Sequence, residues 1–283
     1  MLTLFLLGIL NTYPGFAGPM HRWTDTPLAL VAHLEPPTEK EAKSKGSGET
    51  PAYESVDALL DALEKAAEPV QNLSAKIRYT TEDTLLGDTT TRTGELHFRR
   101  APATGARQFA VSFVSLQSGD TVEKVSKDYI FDGIYLVERL NDEKQFFKRQ
   151  TVRTGEQIDP LSIDGPFPLP LGQKKADILK RFEAEMLEPD AEGARKGFLH
   201  IRLTARNRGQ EENLDTVDLW YDPATLMPRK VIVKEKAESG DINTAELAEV
   251  TVNGPAADDA LYDTKEPARE EGWFVEIAPL KDE

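Results

Sequence analysis

The sequence predicts a mainly β fold, an α+β protein with one large half-open sheet of about ten strands and two or three helices over its concave face. Three observations predict it. Between Gly94 and Val252, short runs of alternating apolar and polar residues follow one another, the period of strands with one buried face. Turn residues separate the runs at hairpin spacing. Few stretches carry a helical period.

The first folded element is a helix. Ser55 is placed to cap it, Val56, Leu59, Leu60 and Leu63 fall on one face, and Pro69 limits it. Ala75, Ile77 and Tyr79 then alternate with Lys76 and Arg78, and Gly94, Leu96 and Phe98 alternate with Glu95, His97 and Arg99. These two strands should pair antiparallel. Phe109, Val111 and Phe113 mark a third strand, and Tyr129 with Phe131 ends a fourth at the Asp132-Gly133 turn. A return strand over 134–140 turns at Asn141–Lys144 and continues over 145–152.

The segment DGPFPLPL, Asp164 to Leu171, holds three prolines in eight residues and excludes an interior strand or helix. A second helix is expected from Gln173 to Leu187, with Ile178, Leu179, Phe182 and Met186 on one side and Lys174, Lys175, Lys180 and Arg181 elsewhere. Four more strands follow: Leu199, Ile201 and Leu203; Val217, Leu219 and Tyr221; Val231 and Val233; Ala248, Val250 and Val252. No fixed-period repeat appears, which argues against a propeller or solenoid.

The N-terminus reads as an export signal. Leu2 to Leu10 is apolar but too short to span a bilayer, and Gly15-Phe16-Ala17 supplies the small-x-small cleavage pattern, although no Lys or Arg precedes the run. Residues 1–17 are therefore expected to be removed after Ala17, placing the protein in the periplasm. Residues 18–52 form an acidic, proline-rich tether with little to bury, and 53–283 one binding domain.

Charge and composition exclude several functions. The net charge of −15 opposes nucleic acid and anionic membrane surfaces. The absence of cysteine removes disulfides, thiolate metal sites, a cysteine nucleophile and a lipid-modified cysteine. His21, His33, His97 and His200 show no metal-ligand spacing, and no cofactor is expected. His97 and His200 read as members of solvated strand faces, as do the acidic pairs Asp215 with Asp218 and Asp258-Asp259. GxSxG, GxGxxG and P-loop patterns are missing. No enzyme signature remains.

What the pattern offers instead is an apolar concavity. Tyr79, Phe98, Phe109, Val111, Phe113, Phe131, Ile201 and Leu219 should share one face of the sheet, with Ile178 and Phe182 of the second helix above it. A helix of about 14 residues covers only ~20 Å, so part of a broad face is left as a candidate acyl-chain pocket.

Four segments carry a family resemblance: GELHFRRAP (94–102), YIFDGIYLVERLNDEKQFFKR (129–149), TVDLWYDPATLMPRKVIVKE (216–235) and DDALYDTKEP (258–267). In order and spacing they resemble the LolA-like periplasmic lipoprotein carriers. Pro102, Asp132-Gly133, Asp222-Pro223 with Pro228, and Asp259 with Tyr262 stand at the family's turn positions. The resemblance implies an unclosed antiparallel β-barrel lidded by helices, which shields the acyl chains of lipoproteins or lipid and catalyses nothing. It also implies a monomer that works between inner-membrane releasing machinery and an outer-membrane acceptor. Arg78, Arg99, Arg100 and Arg107 are all open as the arginine that fastens the lid. The rival functions are an envelope lipoprotein sensor acting on a partner protein, which calls for a second domain, and an enzyme on a β scaffold, which calls for a polar constellation inside the concavity.

Overall fold

The computed structural model describes residues 53–153, 171–187, 197–206, 214–235 and 240–280. The expected export signal, the tether, all of the proline-rich segment except Leu171, and His21 and His33 lie outside the described residues.

Helix α1, Val56–Ala67, starts where expected: the Ser55 hydroxyl accepts a hydrogen bond from the Ala58 amide at 3.2 Å. Its buried side is Leu59, Leu60, Leu63 and Ala67. Six strands follow: β1 (Asn72–Asp83), β2 (Asp88–Arg100), β3 (Arg107–Ser118), β4 (Thr121–Phe131), β5 (Tyr135–Leu140) and β6 (Gln145–Gln150). The expected β1–β2 pairing is present, with Tyr79 opposite Arg92 and Ala75 opposite Leu96. At the β4–β5 turn, Gly133 takes φ +111° and Asp132 Oδ1 accepts from the amides of Ile134 and Tyr135.

The second helix is shorter than its periodicity suggests. Helix α2 spans Lys175–Arg181, and Phe182–Leu187 is strand β7, paired antiparallel with β8 (Leu199–Ala205). Ile178, Phe182 and Met186 recur every four residues, but the same stretch alternates as Phe182, Ala184, Met186, and hydrogen bonding to β8 selects the strand. Phe182 is buried; Met186 is exposed. Strands β9 (Leu214–Tyr221), β10 (Pro228–Glu235) and β11 (Asp241–Val252) continue the meander.

A final short strand, β12 (Phe274–Ala278), pairs parallel with β6. The twelve strands of the described residues form one sheet in the order β12-β6-β5-β4-β3-β2-β1-β11-β10-β9-β8-β7. Strands β12 and β7 are its two edges and do not pair with each other, so the curved sheet is unclosed. Inside it lies one apolar cluster, which joins the inward residues of β1–β5 and β7–β11 to α1 and Ile178.

The inward phase shifts where a strand carries a bulge, as on β3 at Val114 and on β11. On β11 the buried positions are Asn243, Ala245 and Leu247, and Ala248 is outward by the same alternation; a bulge opposite Ser74–Lys76, with Glu249 at φ +52°, then shifts the inward parity. Val250 and Val252 return to the core.

The C-terminal segment crosses the outer face as a strap. Arg139 donates to the Asp263 carbonyl, Lys148 to the Thr264 carbonyl and Lys144 to the Glu271 carbonyl. Val275 and Trp273 cover a small outer cluster of Ile130, Val137 and Phe146.

Candidate functional site: the inner face and its fastening

Every side chain expected on the concavity is in the inner cluster. Tyr79, Phe98, Phe109, Val111, Phe113, Phe131, Ile201, Leu219, Ile178 and Phe182 all belong to it. Strand register explains this: Phe98 faces Phe109, Phe109 faces Phe131, and Leu96 faces Val111 across neighbouring strands, so residues of one parity share one face. Phe109 and Phe131 stack with ring centroids 5.9 Å apart. Phe113 links Tyr79 at 6.3 Å to Tyr129 at 6.2 Å, distances typical of favourable aromatic pairs.

Among the described residues the cluster is tightly packed beneath α1 and α2. The cleft among Leu60, Leu63, Ala67, Leu171, Ile178 and Tyr221 holds about 20 Å³, room for about one water. The roomier grooves among the described residues are on the outside, one of about 630 Å³ beside the strap and one of about 560 Å³ over β1–β3 and β11.

Two cationic side chains fasten this closure. Arg107, from the start of β3, donates to the carbonyls of Leu171 (3.0 Å) and Gly172 (3.3 Å), holding the chain entering α2 beneath α1. Gly172 sits at φ +75°, and a Cβ there would meet Ala67 Cβ at 2.9 Å. Lys175, expected to face solvent, instead clasps the helices together. Its amide donates to Glu64 Oε2 at 2.9 Å, and its ammonium meets Asp57 at 2.8 Å and Asp61 at 3.0 Å. Hydrogen bonds from its ammonium to those two carboxylates raise its pKa.

Of the four arginines left open by the sequence, Arg107 therefore reaches the covering segment. Arg100 Nε donates to the Val70 carbonyl below α1. Arg99 pairs with Asp259 and stacks 3.8 Å over the Tyr262 ring on the strap. Arg78 lines the outer groove.

The inner face is also less uniformly apolar than the alternation suggests. Following the same parity, β2 places Arg92 inward two positions beyond Gly94, β4 places Lys127 two beyond Tyr129, and β5 places Glu138 two beyond Leu136. Lys127 Nζ meets Glu138 Oε1 at 2.7 Å, and the Tyr129 hydroxyl donates to the same oxygen at 3.2 Å. Burial first, and then Glu138, hold the Tyr129 phenol protonated well above its usual range. Extending each strand's inward parity along its whole length is the signal that finds these residues.

On the outside, two solvated-face expectations are corrected. His200 and Asp218 are buried: His200 Nε2 lies 2.9 Å from Asp218 Oδ1, and its ring stacks on Trp220 at 4.1 Å. Arg202 grips the same carboxylate with Nε–Oδ1 2.8 Å and Nη2–Oδ2 3.1 Å. Burial opposes the charge, but these bonds outweigh it and hold the Asp218 pKa below the usual carboxylate range. His200 and Arg202 both meet the Asp218 carboxylate, so it is buried on the outer face of β8–β9 without being unpaired. His97, by contrast, is half-buried, with Nε2 3.4 Å from exposed Glu95, and Asp258 and Asp259 are exposed.

An open antiparallel sheet wrapped around an apolar core, with short helices fastened across its inner face, is thus the class of fold. No family model matches the sequence, and no curated protein does. Solved structures similar to it include an uncharacterized conserved protein from Thermus thermophilus, at 10% identity and a TM-score of 0.42 over 77% of this chain and 96% of that one. A LolA superfamily protein from Nitrosomonas europaea is similar at 10% identity and a TM-score of 0.34, over 74% and 97%. The MucA/MucB complex of Pseudomonas aeruginosa contains a chain similar at 14% identity and a TM-score of 0.40, over 76% and 61%.

Proposed function

We propose that the chain is a non-enzymatic periplasmic carrier, which takes the acyl chains of lipoproteins or of lipid into the inner face of its sheet and moves them between membranes. The observation that carries this reading is the pairing of one continuous aromatic and aliphatic inner face with a cover held by polar bonds. A barrel whose edges met would trap that face permanently. Here β7 and β12 are apart, and the covering segment is attached through Arg107 and Lys175.

Magnitudes favour exchange of cover for cargo. The three leucines that α1 buries are worth about 5–9 kcal/mol of apolar transfer, at ~1.5–3 each. A sixteen-carbon acyl chain is worth roughly 11–12 kcal/mol at ~0.8 per methylene. A bound chain can therefore replace the contacts that α1 gives up.

The test is to purify the protein from its native envelope, extract it with organic solvent and analyse the extract by mass spectrometry, alongside titration with a fluorescent acyl probe. Acylated protein or lipid in the extract, with saturable probe binding, is the expected result. An empty extract together with a probe that does not bind would overturn the reading.

A further inference from the structure

We infer that the inner face carries a built recognition site for an anionic head group, centred on Arg92, so that the cargo is an acidic amphiphile. This rests on the acyl-binding reading and adds a chemical class to it.

The position of Arg92 is fixed by register. It lies on β2 with the inward parity of Phe98, Leu96 and Gly94, between Tyr79 of β1 and Leu116 of β3. Its Nη1 is buried and has no hydrogen-bond partner among the described residues. A guanidinium taken out of water is normally met by a carboxylate or by carbonyls, because an unmet charged donor forfeits its hydration without replacement.

The neighbouring acid is already used. Glu138 is engaged by Lys127 and by the Tyr129 hydroxyl, and no hydrogen bond between it and Arg92 Nη1 is present. Glu235 and Asp241, at the ends of β10 and β11, also act on the Tyr79 hydroxyl, and neither gives Arg92 Nη1 a hydrogen-bond partner. Burial keeps the Tyr79 phenol protonated, hence neutral.

Geometry supplies the other half of the ligand. The ring series Tyr79, Phe113, Tyr129 starts beside Arg92, and β3 continues it through Val111 to Phe109 and its stacked partner Phe131. A carboxylate or phosphate could take the planar fork of Arg92 while an acyl tail replaced contacts along those rings. The thioether and amide linkages of an acylated cysteine carry no negative charge and would leave Arg92 unmet. A free fatty acid or an acidic lysolipid would not.

The experiment titrates the full chain at pH 8 with cis-parinaric acid and with its methyl ester, then competes the acid with palmitoyl lysophosphatidic acid, with palmitate and with inorganic phosphate. The acid should bind about 10–100-fold more tightly than the ester, the effect of one or two charge-assisted hydrogen bonds. Arg92→Gln should erase that preference, and Arg92→Lys should keep part of it. Displacement by the lysolipid at concentrations where palmitate also displaces would mean that carboxylate and phosphate heads share the site; displacement by palmitate alone would restrict it to carboxylates. Equal affinity of the wild-type chain for acid and ester overturns the proposal, whether or not the variants fold, as does a preference that survives in a folded Arg92→Gln. Inorganic phosphate competing as well as the lysolipid overturns it too, because the site would then ignore the tail. Failure of both acid and ester to bind removes the acyl-binding reading itself, a result separable from the others.

Discussion

Replacing Arg107 by glutamine tests whether the cover over the inner face is a gate. The guanidinium donates at 3.0 Å and 3.3 Å to two carbonyls of the segment entering α2. A hydrogen bond to a charged group contributes about 1.5–3 kcal/mol net, and the longer bond lies at the weak limit of good geometry, so the pair is worth roughly 2–3 kcal/mol. If the cover must lift before a chain enters, that energy is part of the opening term, and its loss should tighten acyl-probe binding about 30–150-fold. The ligand-free protein should lose the same free energy, which lowers Tm by roughly 4–10 °C for a domain of this size. Fluorescence titration and thermal melting on one preparation read both. Arg107→Lys, which can reach one carbonyl, should fall between. A lower Tm with unchanged or weaker probe affinity would refute the gate and leave Arg107 a static strut.

Three further outcomes are expected. Phe182→Ala should cost about 3–5 kcal/mol in chemical denaturation and should not tighten probe binding, because Phe182 is a buried residue of β7 rather than part of a helical lid. Gly94→Ala should destabilise by about 1–3 kcal/mol or more, since a Cβ there would lie 1.9 Å from the Ser112 carbonyl oxygen and backbone cannot step aside; a denaturation midpoint within error of wild type would contradict it. Asp218→Asn should cost about 2–3 kcal/mol at neutral pH. Because the folded pKa of Asp218 is depressed, that contribution is present above the unfolded value near 4 and is lost as pH falls through the folded value. The gap between variant and wild type in urea titrations should therefore close below about pH 4.

The sequence made the inner face legible because period-2 alternation is dictated by the strand itself and hydrophobic parity shows through: Phe109, Val111 and Phe113 point together whatever surrounds them. It concealed features decided by contacts distant along the chain. Whether Phe182–Leu187 is helix or strand depends on the partner β8, and β12 is a five-residue parallel edge whose pairing with β6 nothing local announces. That Ala248 and Val250 lie on opposite faces follows from a bulge, which shifts parity without altering composition. His200, Asp218 and Arg202 looked solvated because polarity on a strand face usually means water, and here the three meet one another's needs. Arg92 escaped for a different reason: a charge at an inward position reads as the end of the pattern when it is the continuation of it.

The place where the sheet joins its two halves governs how the chain can fold. Strands β1 to β6 form one run of hairpins and β7 to β11 another, each assembled from neighbours in sequence, but the halves meet where Leu73 pairs with Val252 and Tyr79 with Ala245. That seam lies mid-sheet and closes a loop of well over a hundred residues, so it forms late and slowly compared with the hairpins on either side. Asn253, the first residue past β11, then locks it. Its side-chain oxygen accepts from the amides of Gln71 and Asn72, and its amide donates to the Pro69 carbonyl. Until that seam has formed, the unpaired edges of β1 and β11 are both exposed, and an unpaired edge is a template for pairing with another chain.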